Sequence, residues 1–338
     1  MRVIVHFGMY KTGSSSIQKT LYTSRSNLRS ICYPDFNRYN HSNIIKQAFG
    51  YTSSVSAEEK AVALESFRDI LRYNAEINHD IIISDESLTA SSFNKLKDLY
   101  STLNNYSDEI IAVGYIRSPK AYIESYFQES LKTLNVTTFD IKKRFPFYKN
   151  HFEKFDRIFG KANVQFWKFD PCGFKNGCVV TDFCSRMNIA INPADIIRIN
   201  EGLSLGAASL LYAFSKYREQ FNYSEVRLGL LINLLSQLQG KKLRFSSKLI
   251  SPLLEENHHQ IEWMERRMGA SLAEDITIYD EYAISTESAL LTFEPATLNW
   301  LAEQLGGDYI NRWNAKMTIS EIAEWIYHLC LMLKKKSK

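Results

Sequence analysis

The chain has 338 residues, 45% of them apolar and 23% charged, enough for one large domain or two modest ones around a sizeable core. Its formal net charge of +4 is too small to argue for a nucleic-acid partner, and five cysteines (32, 172, 178, 184 and 330), odd in number and too widely spaced for a zinc ribbon, point to a reducing, cytoplasmic compartment. With no secretory signal and no run of 18 apolar residues, no membrane span is expected.

In chain order, Val3-Ile4-Val5 is a short β-branched run ending at Gly8, the pattern of a strand buried on both faces. A helix is predicted to open near Gly13–Ser15, with Ile17, Leu21 and Leu28 on one face. Residues 58–77 repeat apolar side chains at helical spacing, Ile81-Ile82-Ile83 reads as a strand, and 91–104 as a helix. Ile110–Ile116 is the next strand. Pro119 then starts a helix through about Leu134, and Val164–Phe169 is a fourth strand. Cys184 falls in an amphipathic stretch, where a cysteine serves as a small hydrophobe. Beyond residue 200 the strand signals fade, and 205–221, 225–239, 247–268 and 318–334 read as helices. The expected fold is α/β: a three-layer, P-loop-like parallel sheet flanked by helices, with a core over 1–200 and a helical C-terminal portion over 201–338 packed on it as one compact domain.

Charge is unevenly spread. Residues 1–50 carry seven Lys/Arg against one acid, and 111–170 carry eleven against six, whereas 51–110 carry five against eleven. The two basic stretches hold the two motifs described next, an arrangement that suits an anionic ligand.

The first motif, His6-Phe7-Gly8-Met9-Tyr10-Lys11-Thr12-Gly13-Ser14-Ser15-Ser16-Ile17-Gln18, joins a strand to a helix. Gly8 and Gly13 have the spacing of a phosphate-binding loop, but Ser14 and Ser15 stand where a Walker A loop would place Lys and Ser/Thr. The lysine, Lys11, lies inside the loop instead, so the usual lysine–magnesium pairing is lost. A helix N-terminus can still wrap a phosphate in backbone N–H groups. At these residues the chain resembles the sulfotransferases that use 3′-phosphoadenosine 5′-phosphosulfate (PAPS), closest to bacterial members with a Lys-Thr-Gly-Ser-[ST]-Ser-Ile-Gln run. Tyr10 replaces the family's proline. The resemblance implies that Lys11 reaches the oxygen bridging phosphate and sulfonate, and that Thr12, Gly13, Ser14, Ser15 and Ser16 hold the 5′-phosphate. It implies no metal.

The second motif, Arg117-Ser118-Pro119 through Ser125, is similar to the family's 3′-phosphate clamp, an Arg ending a strand and a Ser eight residues on. Ser125 lies two turns into the helix, where it can join the Arg117 fork on one phosphate or simply face solvent. Between the motifs, Ser84-Asp85-Glu86 ends another strand. In glycan-modifying relatives a Glu after this strand resembles the catalytic base, which implies that role for Glu86; capping the next helix is the plainer alternative. His41, in a loop after the first helix, is the second candidate base. Asn200-Glu201-Gly202-Leu203-Ser204 and the helix from Ser247 also look like features of bacterial relatives, and Lys241, Lys242 and Arg244 either close over the nucleotide or form a solvated basic turn. The resemblance spans about residues 1–270 and is specific only at the two nucleotide motifs.

The expected activity is transfer of a sulfonate from PAPS to a hydroxyl acceptor of the carbohydrate class, as in polysaccharide modification, with no nucleic acid, no metal and no membrane span. Oligomeric state is left open. Two alternatives stay open: another P-loop enzyme such as a small-molecule kinase, and a non-catalytic nucleotide-binding module.

Overall fold

The computed structural model describes residues 1–50, 55–199, 202–222, 226–312 and 317–336. Its sheet has strands β1 (Arg2–His6), β2 (Ile31–Cys32), β3 (Asp80–Ser84), β4 (Glu109–Ile116) and β5 (Val164–Lys168), all parallel, in the order β2-β3-β1-β4-β5. The helices, in chain order, are α1 (Ser14–Thr23), α2 (Ser42–Ala48), α3 (Ala57–Glu76), α4 (Phe93–Asn104), α5 (Pro119–Lys132), α6 (Tyr148–Phe159), α7 (Val179–Met187), α8 (Leu205–Tyr217), α9 (Leu228–Leu235), α10 (Ser247–Glu256), α11 (His258–Met268), α12 (Glu287–Leu290), α13 (Pro295–Leu305), α14 (Tyr309–Arg312) and α15 (Ile319–Lys336). The chain divides into two compact units, one of 1–118, 147–199 and 257–273, the other of 119–146, 200–256 and 274–338.

The first unit is the three-layer α/β body. Val3, Ile4, Val5, Ile81, Ile82 and Ile83 are all fully buried, which explains why β1 and β3 read as unbroken apolar runs: a parallel strand covered on both faces has no solvent side to alternate with. One face packs Ile4, Ile82, Val113 and Tyr115 against Ile17 and Leu21 of α1 and Phe183 and Cys184 of α7. Leu28 joins this cluster from beyond the end of α1, which stops at Thr23 rather than running on to it. On the other side, Phe7 leaves the end of β1 to meet Phe155 and Phe152 of α6, with ring centroids 4.2 and 6.0 Å apart. Gly114 of β4 makes that possible, since a methyl there would stand 2.4 Å from the Phe7 ring.

Strand order runs outward from β1 in both directions, so the chain reverses its winding beside β1. In open α/β sheets ligands bind outside the carboxyl ends of the strands at such a reversal. The carboxyl ends of β3, β1 and β4 are neighbours there, with His6 in register with Ser84 on one side and Val113 on the other.

The second unit is helical. α5 and α15 pack on α8, and Phe127 of α5 meets Tyr212 of α8 and Phe245. The stretch read as one helix over 247–268 is two, with Asn257 between α10 and α11. The helix expected over 205–221 ends at Tyr217, and that expected over 225–239 is the shorter α9. Among the described residues no helix is long and apolar enough to cross a membrane. The five cysteines are all free thiols, Cys184 buried within α7.

Candidate active site

The loop from Gly8 to Gly13 turns sharply between β1 and α1. Gly8 (φ 42), Lys11 (φ 66) and Gly13 (φ 80) all lie at positive φ. At Gly13 a side chain is excluded twice, by that conformation and by Val179, whose Cγ1 would stand 2.6 Å from an added methyl. The Thr12 hydroxyl donates to the Met9 carbonyl at 2.6 Å, closing the loop from within. The Ser16 and Ile17 amides turn back on the Gly13 carbonyl at 3.0 and 3.2 Å. Those of Ser14 and Ser15 are the first two of the helix, which helix geometry leaves without an intrahelical acceptor.

The expected phosphate residues divide by the job of each side chain. Thr12 and Ser16 hold the fold together: Thr12 as above, and Ser16 by accepting the Ile199 amide at 3.0 Å. Ser14 Oγ is buried without a hydrogen-bond partner, and Ser15 is half-buried. A methyl on Gly8 would stand 2.6 Å from Ser14 Oγ, so a residue with a side chain there would displace that hydroxyl. A helix N-terminus with no side-chain cap and an orphaned hydroxyl beside it fits an anionic oxygen group.

Arg117 follows β4, the strand beside β1. Its Nη1 donates to the Lys11 carbonyl at 2.7 Å, and its guanidinium lies 5.4 Å from the centre of the Phe169 ring. Tyr148 donates to the Arg117 carbonyl at 2.7 Å, and the Arg117 amide reaches Met9 Sδ at 3.4 Å. The two motifs, 106 residues apart in sequence, are therefore in direct contact through Lys11 and Arg117. Ser125 is half-buried on α5 in the other unit.

β3 delivers Asp85 and Glu86 to the same sheet edge. Asp85 is fully buried, and its carboxylate accepts from the Ser42 hydroxyl at 2.6 Å and from the Ser87 amide and hydroxyl at 2.8 and 2.9 Å. It is the cap of the 3-10 turn Glu86–Ala90, and Glu86, half-buried, opens that turn. Lys154 of α6 pins the far end of the turn, its Nζ donating to the Thr89 and Ser91 carbonyls at 2.6 and 2.5 Å; burial pulls its pKa down to about 8.

His41 sits otherwise than its loop position suggests. It has no exposure and packs between the rings of Tyr33 and Phe36. Its Nδ1 accepts the Ser84 amide at 3.1 Å, which puts the proton on Nε2, 3.2 Å from the Pro34 carbonyl. With both nitrogens engaged and burial holding its pKa at about 4, the ring has no nitrogen to offer an acceptor hydroxyl. Arg244 is paired with the buried Glu124 carboxylate at 2.6 Å. Lys241 lies 3.8 Å from Glu294. Asn200 and Glu201 lie outside the described residues.

One residue the sequence reading passed over is His6, fully buried at the end of β1, with its Nδ1 2.8 Å from Ser84 Oγ and its pKa lowered to about 4 by burial. The signal was present: a histidine closing an otherwise β-branched strand has to be satisfied inside the protein. His6 and His41 together set an acid limit. Both are neutral when folded and take up protons near 6.5 when unfolded. Stability is then complete above pH 6.5 and falls as pH drops toward 4, by about 1.4 kcal/mol per pH unit for each histidine. Melting temperature measured from pH 7 to 4 should fall across that window, and His41→Asn should roughly halve the slope. A flat profile would mean that neither ring is buried neutral.

No protein-family profile and no curated protein matches the sequence. Among solved structures the chain is similar to a sulfotransferase from Alicyclobacillus acidocaldarius, at 11% identity and a TM-score of 0.44, over 80% of this chain and 97% of that one. At that identity and score the likeness decides nothing about function. Among the described residues, no group of three or more His, Cys, Asp or Glu side chains is arranged to hold a metal ion.

Proposed function

We propose that the chain is a sulfotransferase, moving a sulfonate group from PAPS to a hydroxyl on a carbohydrate. The observation that carries this reading is the contact between the two motifs: the Arg117 guanidinium donates to the carbonyl of Lys11, the lysine of the anion loop, at the carboxyl edge of adjacent strands. In this reading the loop amides and Ser14 hold the 5′-phosphate, and Arg117 holds the 3′-phosphate. An acceptor oxygen attacks sulfur as the bond from sulfur to the 5′-phosphate oxygen breaks. Sulfuryl transfer, like phosphoryl transfer, has a loose in-line transition state that is catalysed by positioning and charge. Lys11 neutralises the charge growing on the leaving phosphate, and Glu86 takes the acceptor's proton. The displaced lysine sets this reading above a magnesium-dependent kinase, because the loop lacks the adjacent Lys-[ST] pair.

The direct test is incubation of the purified chain with PAPS and a panel of oligosaccharides, reading sulfate-ester formation by mass spectrometry. Formation of a sulfated sugar and of adenosine 3′,5′-bisphosphate is expected; donor consumption with no sulfated product would remove the transferase assignment. Arg117→Ala should weaken binding of adenosine 3′,5′-bisphosphate by about 1.5–3 kcal/mol, the value of a hydrogen bond to a charged group. Unchanged affinity in a calorimetric titration would refute the 3′-phosphate clamp.

A further inference from the structure

Beneath the anion loop runs a buried polar chain that the reading above does not use. Gln18 Nε2 of α1 donates to Ser84 Oγ at 3.1 Å, and Ser84 Oγ lies 2.8 Å from His6 Nδ1. The Ser84 amide is held by His41 Nδ1 at 3.1 Å, which fixes the serine in place. At the loop end of this chain two buried atoms have no partner: His6 Nε2 and Ser14 Oγ. His6 is 1% exposed and Ser14 2%. Both lie beside Gly8, since a methyl built there would stand 2.6 Å from Ser14 Oγ and 3.4 Å from His6 Nε2. Leaving a buried polar group unsatisfied is costly, and two at one point, beside the first amides of α1, mark a place built for a ligand.

We propose that His6 is a ligand-binding residue, its Nε2–H and the Ser14 hydroxyl both contacting the 5′-phosphate of the donor at the N-terminus of α1. This rests on the donor-loop reading above and adds to it a contact from inside the sheet. An anionic oxygen offers only lone pairs, so the ring meets it with the proton on Nε2. Nδ1 then accepts the Ser84 hydroxyl, whose oxygen accepts from Gln18. The hydrogen bonds all run one way, from Gln18 through Ser84 and His6 to the phosphate. Phe183, 5.0 Å from the imidazole between ring centroids, packs against the ring.

The test compares two nucleotides on the intact chain. His6→Phe keeps the ring and removes both nitrogens. It should weaken adenosine 3′,5′-bisphosphate about tenfold or more, the effect of losing a hydrogen bond to a charged group. It should leave adenosine 3′-monophosphate, which has no 5′-phosphate, unchanged. A second readout needs no variant: in nitrogen-15 spectra of the parent chain, the bisphosphate should shift the His6 Nε2 signal and slow exchange of its proton, and the monophosphate should not. If the parent binds the bisphosphate while His6→Phe binds it equally well, or while the His6 signal stays still, the role of His6 is overturned and the donor loop stands. If the parent does not bind the bisphosphate at all, the donor-loop reading falls and the His6 contact falls with it.

Discussion

Lys11→Ala should lower the rate of sulfonate transfer by at least two to three orders of magnitude, the range seen when a single preorganised stabiliser of developing charge is removed. The lysine sits in the loop between β1 and α1, half-buried and outside the apolar cluster of that face. Its positive φ is a backbone property that alanine shares as another residue with a Cβ. Fold stability should therefore change by no more than about 0.5 kcal/mol. The informative experiment measures turnover and melting temperature on one sample. A folded variant with near-parental turnover would remove Lys11 from the mechanism. A variant that melts early would instead make the side chain a structural support of the loop.

Glu86→Gln should lower turnover 10²–10⁴-fold, the usual contribution of a general base, with nucleotide affinity nearly unchanged. The geometry narrows the choice of base at the end of β3. Asp85 caps the turn and accepts from three donors, and His41 is enclosed with both nitrogens in use. Glu86 is the acid at this strand end that is not enclosed. Glutamine keeps its volume and removes the charge that accepts a proton. His41→Asn serves as the contrast, since losing an enclosed, hydrogen-bonded ring should lower the melting temperature first and turnover only through stability. If Glu86→Gln turns over normally while His41→Asn is folded and inactive, the proton passes to the histidine.

The sheet was legible because its central strands are covered on both faces and must be apolar without interruption, as at Val3–Val5 and Ile81–Ile83. β2, at Ile31–Cys32, is too short to leave a pattern. α6 was hidden although Phe152, Phe155 and Phe159 are spaced for one face, because His151, Glu153, Lys154 and Arg157 are interleaved among them. The break between α10 and α11 falls at Asn257, inside the polar run Glu255–Gln260, which has no glycine or proline to mark it. The loop was readable for a simple reason: Gly8, Lys11 and Gly13 fall within one short segment, and their spacing is itself the motif. What spacing does not carry is partnership between distant segments. Arg117 meets the loop across 106 residues, and His6 meets Ser84 across 78. For the same reason His41 reads as a loop histidine until Tyr33, Phe36 and the Ser84 amide are seen to enclose it.

We propose that the loop around Lys11 and the strand end at Arg117 hold a nucleotide bearing both 3′- and 5′-phosphates. Calorimetric titration of the purified chain with adenosine 3′,5′-bisphosphate, beside ADP and ATP with and without magnesium, tests it most directly. Saturable binding of the bisphosphate at one site per chain is expected, independent of magnesium, with weaker binding of ADP, which lacks the 3′-phosphate. Magnesium-dependent binding of ATP with no binding of the bisphosphate would contradict it and point to a phosphoryl-transfer enzyme instead.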